Sequence, residues 1–224
     1  MFDGGEPSRG TVILTVVVAA GGAPKRREPL VLGTIVALWI VLVVAGFGAL
    51  LRYKNLPGAR GDVPVHWPSQ SSLRPPSGKA TLVMLAHPHC PCTRASIHEL
   101  AALMTRLPNE LSATVLFVRP AGVDDGWEST DLLESARAIP GVSVQIDDGG
   151  REAALFGAKT SGQTVVYDRA GRLVFSGGIT PSRGHEGDNV GRSDIVLAVT
   201  TAESRSFTNV VFGCALADRA VSGS

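Results

Sequence analysis

Ala80-Thr81-Leu82-Val83-Met84-Leu85-Ala86-His87-Pro88-His89-Cys90-Pro91-Cys92-Thr93 is the stretch from which the rest of this 224-residue chain is read. Its first half is a short apolar run bounded by turn residues, the pattern of a buried strand from Lys79 to Ala86. From Thr93 onward Ile97, Leu100, Ala101, Met104 and Leu107 recur at spacings of three and four until Pro108, the pattern of an amphipathic helix. Two of the chain's three cysteines therefore fall at a strand-to-helix turn. The first turn of a helix offers unsatisfied N–H groups and the positive end of its dipole, so a thiolate is favoured there and the thiol becomes more acidic. Pro91 suits the first helical position, where its missing N–H costs nothing. The expectation is an accessible, acidified cysteine pair held up at one end of a sheet.

Outward from this turn the pattern alternates. Ala113 to Val118 reads as a strand, Arg119 to Gly126 as a loop, and Ser129 to Ala138 as a helix with Leu132, Leu133 and Ala136 on one face, ended by Pro140-Gly141. Val142 to Ile146 is a strand and Arg151 to Phe156 a short helix. Thr164 to Tyr167 and Arg172 to Ser176 are strands joined by Asp168-Arg169-Ala170-Gly171, a hairpin turn with glycine where positive φ is needed. Strand, helix, strand, helix, strand, helix and hairpin predict an α/β domain in three layers, with helices on both faces of the sheet.

Ahead of this domain, Leu30 to Leu51 carries no charged residue over the length a helix needs to cross the hydrocarbon core, with Trp39 inside and Tyr53 at an interface position. Residues 29–52 are read as one transmembrane helix. Met1 to Glu28 reads as a poorly structured tail whose apolar run, Thr11 to Ala20, is too short to span, with a buried or interfacial strand as the alternative there. Residues 53–78, with Pro57, Pro64, Pro68, Pro75 and Pro76, read as a linker or an irregular lead-in packed on the domain edge, and 79–224 as the domain with a C-terminal extension. Lys25, Arg26 and Arg27 before the span outweigh Arg52 and Lys54 after it, which modestly favours a cytoplasmic N-terminus and a periplasmic or exterior domain. A formal net charge of +1 gives no reason to expect nucleic acid as partner. Three cysteines exclude a disulfide-stapled mini-domain and leave at least one thiol outside any intramolecular bridge.

The strand, the cysteine-containing turn and the amphipathic helix, together with Phe156-Gly157-Ala158-Lys159-Thr160-Ser161-Gly162-Gln163-Thr164-Val165-Val166-Tyr167-Asp168-Arg169-Ala170-Gly171, resemble the thioredoxin-like superfamily over Lys79 to Gly178. The nearest branch is the membrane-tethered thiol oxidoreductases of the kind involved in cytochrome maturation. What the resemblance implies is thiol-disulfide exchange with a protein partner, Cys90 as attacking thiolate and Cys92 as resolving thiol. Two departures stand out. The usual Cys-x-x-Cys is here Cys90-Pro91-Cys92, whose bridge would close a tight, strained and easily reduced ring. The cis-proline that faces the pair in the family falls on Gly162, which is expected to leave the backbone open there and to ease metal binding.

Other residues bear on the chemistry. His87 and His89, two apart and on one side of an extended segment, could lower the thiol pKa, accept its proton or ligate a metal. His98 reads as solvated. In the polar loop Ser176 to Asn189, His185 is the residue singled out for binding. Ser193 to Thr200 reads as a short helix with Asp194 as cap. Phe207 to Leu216 reads as a strand-like run whose Cys214 is either a buried free thiol or a third redox partner or metal ligand beside the pair. Thioredoxin-fold copper chaperones use a thiol pair plus a loop histidine, so Cys90, Cys92 and His185 form an alternative copper set; a thiol peroxidase is a weaker third reading. No Gly-rich nucleotide fingerprint is present, and no cofactor is expected under the leading reading.

Overall fold

The computed structural model describes residues 28–74, 78–201 and 205–216; the expected tail lies outside them except for Glu28. The chain divides into two compact units, residues 1–48 and 49–224. Helix α1 (Glu28–Asn55) makes up the described part of the first and the start of the second. An 18-residue window of it has a mean hydropathy of 2.7 with none of it buried, and its side chains from Leu30 to Leu51 are all exposed. So long an apolar surface, bare on every side, suits lipid and not water. The Thr34 hydroxyl, the one hydroxyl between Leu30 and Leu51, donates back to the Leu30 carbonyl (2.8 Å).

The second unit is built on β1 (Ala80–Ala86), β2 (Leu111–Arg119), β3 (Val142–Asp148), β4 (Gln163–Tyr167), β5 (Leu173–Gly177) and the two-residue β6 (Phe207–Thr208), in the sheet order β3-β2-β1-β4-β5-β6. β1 pairs parallel with β2 and β2 with β3, while β4 runs antiparallel to β1 and β5 antiparallel to β4. All seven residues of β1 are buried, because this central strand is covered on both faces. Leu82 and Met84 join a cluster with Ile97, Leu100 and Leu103 of α2 (Cys92–Arg106), Leu132 and Leu133 of α3 (Asp131–Arg137), and Ile195 of α5 (Val190–Thr200). The β1–α2–β2 and β2–α3–β3 crossovers step the same way across the sheet, so their shared right-handedness puts α2 and α3 on one face. Val83 and Leu85 point to the other face, against Ala153 of α4 (Arg151–Leu155), Phe156 and Leu73. The result is the expected α/β domain in three layers, and each large side chain fully buried in it contributes about 2 kcal/mol.

The hairpin turn forms where the sequence placed it: Gly171 has φ of 74°, and the Asp168 carboxylate accepts from the N–H groups of Ala170 and Arg172. Helix α5 begins three residues earlier than expected. Its cap is Asn189, whose side chain accepts from the Arg192 N–H (2.8 Å), whereas Asp194 takes a bond from Asn209. The early start was hidden by Gly191, a poor helix former that is required because a Cβ there would meet the Gly178 carbonyl.

Only Phe207 and Thr208 of the expected Phe207–Leu216 strand pair as one. Past them the backbone changes partners: Asn209 N–H donates to Ser176 O, Gly178 N–H to Val210 O, Gly58 N–H to Val211 O, Ser161 N–H to Cys214 O and Leu216 N–H to Lys159 O. Because successive partners lie on three different segments, no single ladder can form, and residues 209–216 are an irregular strap.

Residues 56–74 contain no helix or strand and lie on the second face of the sheet. The Trp67 ring sits edge-on to Phe156 (5.2 Å) and Tyr167 (5.3 Å), and the Tyr167 hydroxyl donates to Pro64 O. Ser71 and Ser72 donate three bonds to the Glu152 carboxylate; burial alone would raise its pKa, but these bonds outweigh burial and leave it lowered. Trp67→Ala is expected to destabilise the domain by about 3 kcal/mol in urea unfolding, the range for a packed aromatic. A free linker would give a change within about 0.5 kcal/mol.

Candidate functional site

Strand β1 ends at Ala86, and the chain turns through His87 to Pro91 into α2, which starts at Cys92 with Pro91 already in helical conformation (φ −62°, ψ −24°). The turn is closed by Cys90 N–H donating to His87 O (3.1 Å) and Thr93 N–H to Cys90 O (3.0 Å). It is fixed to the loop before β4 by the Ser161 hydroxyl, which accepts from His87 N–H (2.8 Å) and lies 2.7 Å from the Thr93 hydroxyl. Gly162 follows, with φ of 86°, and its N–H donates to Leu85 O. That positive φ suits glycine and excludes proline, whose ring holds φ near −65°. The open backbone expected at Gly162 is not left open, because a Cβ there would lie 2.8 Å from the Ser96 hydroxyl oxygen and 4.0 Å from Phe212 O of the strap.

The sulfur of Cys90 lies 3.1 Å from that of Cys214, and no cysteine among the three is in a disulfide. The strap thus brings the third cysteine onto the first. It also covers it: Cys90 is 1% exposed, against the expectation of an accessible pair, while Cys214 is half-buried. The cover is polar. Burial alone would raise the Cys90 pKa, but the Cys214 thiol and N–H, the Thr93 hydroxyl and the Cys92 N–H all bond to its sulfur, and together they leave the thiol more acidic than usual. Cys214 is pushed up to about 12 by burial, by its bond to Cys90 and by the Cys90 and Cys92 charges, with Arg183 opposing. Cys92 is raised by burial and then by the Cys90 charge, again against Arg183. Cys90 is therefore the first of the three to ionise: with both thiols protonated Cys90 donates across the sulfur contact, and once Cys90 is a thiolate the Cys214 thiol donates to it.

The loop from Gly178 to Asn189 contributes Arg183, not the residue the sequence reading selected. Its Nη1 donates to Gly213 O (2.7 Å), its Nε to Leu56 O (3.2 Å), and its guanidinium lies 5.1 Å from the Tyr53 ring centroid. His185 instead places Nδ1 2.7 Å from the Arg183 carbonyl. Among the described residues no three His, Cys, Asp or Glu side chains are grouped to hold a metal ion, so Cys90, Cys92 and His185 do not form such a set. The loop is pinned to α2 by buried Glu99, which accepts from Gly187 N–H, Asn189 and Arg192, and by His98 facing Glu186 at 2.7 Å. His87 packs edge-on and His89 tilted against Trp127: the His89 Nε2 donates to Trp127 O (2.9 Å), and the His89 N–H donates to His87 Nδ1, which is therefore unprotonated. Trp127, Ser161 and Arg183 were not singled out from sequence. Arg183 lay in the loop already marked for its polar residues, and the other two carry no pattern of their own.

A sheet of three parallel strands flanked by an antiparallel pair, with the cysteine turn at the head of the helix after the central strand, is a thioredoxin-like fold. The sequence matches no family profile and no curated protein. Among solved structures, an uncharacterized conserved protein from Geobacillus kaustophilus aligns at 18% identity and a TM-score of 0.51, over 72% of this chain and 91% of that one. A hypothetical protein from Sinorhizobium meliloti aligns at 20% and 0.50, over 72% and 93%. At such identities the likeness speaks for the fold alone. A secreted Mycobacterium tuberculosis disulfide oxidoreductase aligns at 15% and 0.39, over 55% and 81%, too loosely to carry a function across.

The proton assignments predict distinct titrations. In initial rates, before Cys90 is blocked, alkylation of Cys90 should level off below the pH of an ordinary thiol, because its folded pKa is lowered, while Cys214 should go on gaining reactivity toward about pH 12. Cys214→Ala removes a donor to the Cys90 thiolate and should move the Cys90 midpoint upward, measured by mass-resolved alkylation against pH.

Proposed function

We propose that this protein is a membrane-anchored thiol-disulfide oxidoreductase acting on protein thiols or disulfides, with Cys90 as its nucleophile. The observation that carries the reading is the Cys90 sulfur, placed at the head of a helix and in contact with a second thiol at 3.1 Å, where hydrogen bonding from Cys214, Thr93 and Cys92 lowers its pKa against burial. An inert structural cysteine would be buried among apolar groups with a raised pKa. The thiolate attacks one sulfur of a partner disulfide along the S–S axis, a mixed disulfide forms, and the partner's other sulfur leaves as thiolate. A second thiol of this chain then displaces the partner. The sequence resemblance gives that part to Cys92, in the Cys90-Pro91-Cys92 pair. His87 and His89, packed on Trp127 beside the turn, would form part of the rim that a partner meets.

Helix α1 serves as the anchor, and the weak excess of basic residues before it favours a domain outside the cytoplasm, where disulfides persist. In sealed vesicles of known orientation, a membrane-impermeant maleimide should label the cysteines from the exterior side. Labelling only after lysis would reverse the topology.

Exchange is tested by mixing the reduced full-length protein in detergent with a disulfide-containing peptide and following peptide thiol release. Cys90→Ser should lower the rate at least about a hundredfold, since the nucleophile itself is gone. A Cys90→Ser protein that keeps its rate would remove Cys90 from the reaction and the assignment with it.

A further inference from the structure

We infer that Cys214, carried on the strap of residues 209–216, is the thiol that resolves the mixed disulfide at Cys90, and that the strap is the gate over that site. The inference rests on the exchange reaction proposed at Cys90 and assigns the second half of it.

Three observations converge on Cys214. The first is reach. Cys90 lies before α2 and Cys92 opens it, and although Cys92 also bonds to the Cys90 sulfur, a bridge between the two would close the tight ring of a Cys-x-Cys pair. Cys214 faces Cys90 across 3.1 Å, and a bond between them needs the sulfurs to approach by about 1 Å. The second is cover. With Cys90 1% exposed, a partner disulfide reaches it only when the end of the strap lifts. That end is held by Ser161 N–H on Cys214 O, Leu216 N–H on Lys159 O, Arg183 on Gly213 O, and the buried Leu216 side chain, with no continuous ladder behind it.

The third is timing. The Cys214 thiol is held protonated partly by its bond to the Cys90 sulfur and by the Cys90 charge. Once Cys90 is tied up in a mixed disulfide, it carries no charge and both of those causes vanish. The Arg183 guanidinium, which favours the Cys214 thiolate, stays. Cys214 becomes a nucleophile when it is needed and not before.

The cycle balances. Strap open, the Cys90 thiolate attacks a protein disulfide and one partner sulfur leaves as thiolate, which takes up a proton. Strap returning, Cys214 loses its proton and attacks the Cys90 sulfur; the Cys90–partner bond breaks, and the partner departs as a dithiol. Two electrons have passed from Cys90 and Cys214 to the partner, and the chain holds a Cys90–Cys214 disulfide under a closed strap. A dithiol protein restores it by attacking Cys214, the more exposed sulfur, with Cys90 leaving because the more acidic thiol is the better leaving group.

The test uses full-length protein in detergent, reduced, freed of reductant and mixed with one equivalent of a short peptide containing an internal disulfide. Acid quenching, alkylation of remaining thiols and mass-spectrometric mapping identify the sulfurs that joined. Cys90 linked to Cys214, with the alkyl label on Cys92, is the expected result. Cys214→Ser should keep the Cys90–peptide adduct at least about tenfold longer than Cys92→Ser does, because the nearest resolving sulfur is missing. Gly213→Ala, whose methyl would run into the Ser161 carbonyl and lift the strap, should prolong the adduct likewise with all three thiols present. A Cys90–Cys92 linkage, or adduct clearing from Cys214→Ser at the unmodified rate, overturns the inference and leaves exchange at Cys90 standing. Recovery of three unlinked cysteines with the peptide disulfide intact overturns both.

Discussion

Two sulfurs 3.1 Å apart, contributed by residues 124 positions apart in the chain, are the contact on which the organisation of this domain turns. A buried thiolate is costly unless its charge is met by donors, and here the donors come from opposite directions. The turn brings the Cys92 N–H and the Thr93 hydroxyl from below, and the strap brings the Cys214 thiol and N–H from above. Neither half alone both closes the site and keeps the charge in it. This is why a segment with so little regular structure is tied down at five points, from Asn209 to Leu216.

The sheet supplies the fixed side of that contact. β1, buried on both faces and paired with β2 and β4, cannot shift without disturbing both clusters, so the turn at its end is held in place. Ser161 extends the constraint to the loop before β4: its hydroxyl takes the His87 N–H, and its own N–H binds the strap at Cys214. One residue thus bonds both the floor and the cover of the site. Gly162 and Gly213 permit this crowding, the first by its positive φ and the second because the Ser161 carbonyl leaves no room for a Cβ.

Much of the scaffold could be read from the sequence because its signals are local. The continuous apolar run of β1, the three-and-four spacing of α2 and the Gly171 turn each depend on neighbours within a few residues. Helix α5 was misjudged at its start for the same reason, since Gly191 looks like a loop residue until Gly178 is known to lie against it. The lead-in offered prolines and no periodicity, so it could be read as a linker or as an irregular segment packed on the domain edge, and nothing local named Trp67 as the residue that packs on Phe156 and Tyr167. At the site, the turn cysteines announced themselves by position. The approach of Cys214 could be entertained only as one of two readings, because nothing near it in sequence says where the strap returns. His185 attracted attention as a titratable ring, whereas Arg183, an ordinary surface residue by composition, reaches the strap at Gly213 and acts on Cys92 and Cys214.

The order in which a ribosome delivers these parts adds a final consequence. At about 5–20 residues per second, some 6–25 seconds separate the appearance of Cys90 from that of Cys214. Strands β1 to β5 all lie within residues up to Gly177, so the cysteine turn leaves the ribosome before the strap that covers it. During that interval Cys90 lacks both its cover and the thiol that meets it. Maturation of the protein is therefore complete only when the last dozen described residues have emerged and folded back.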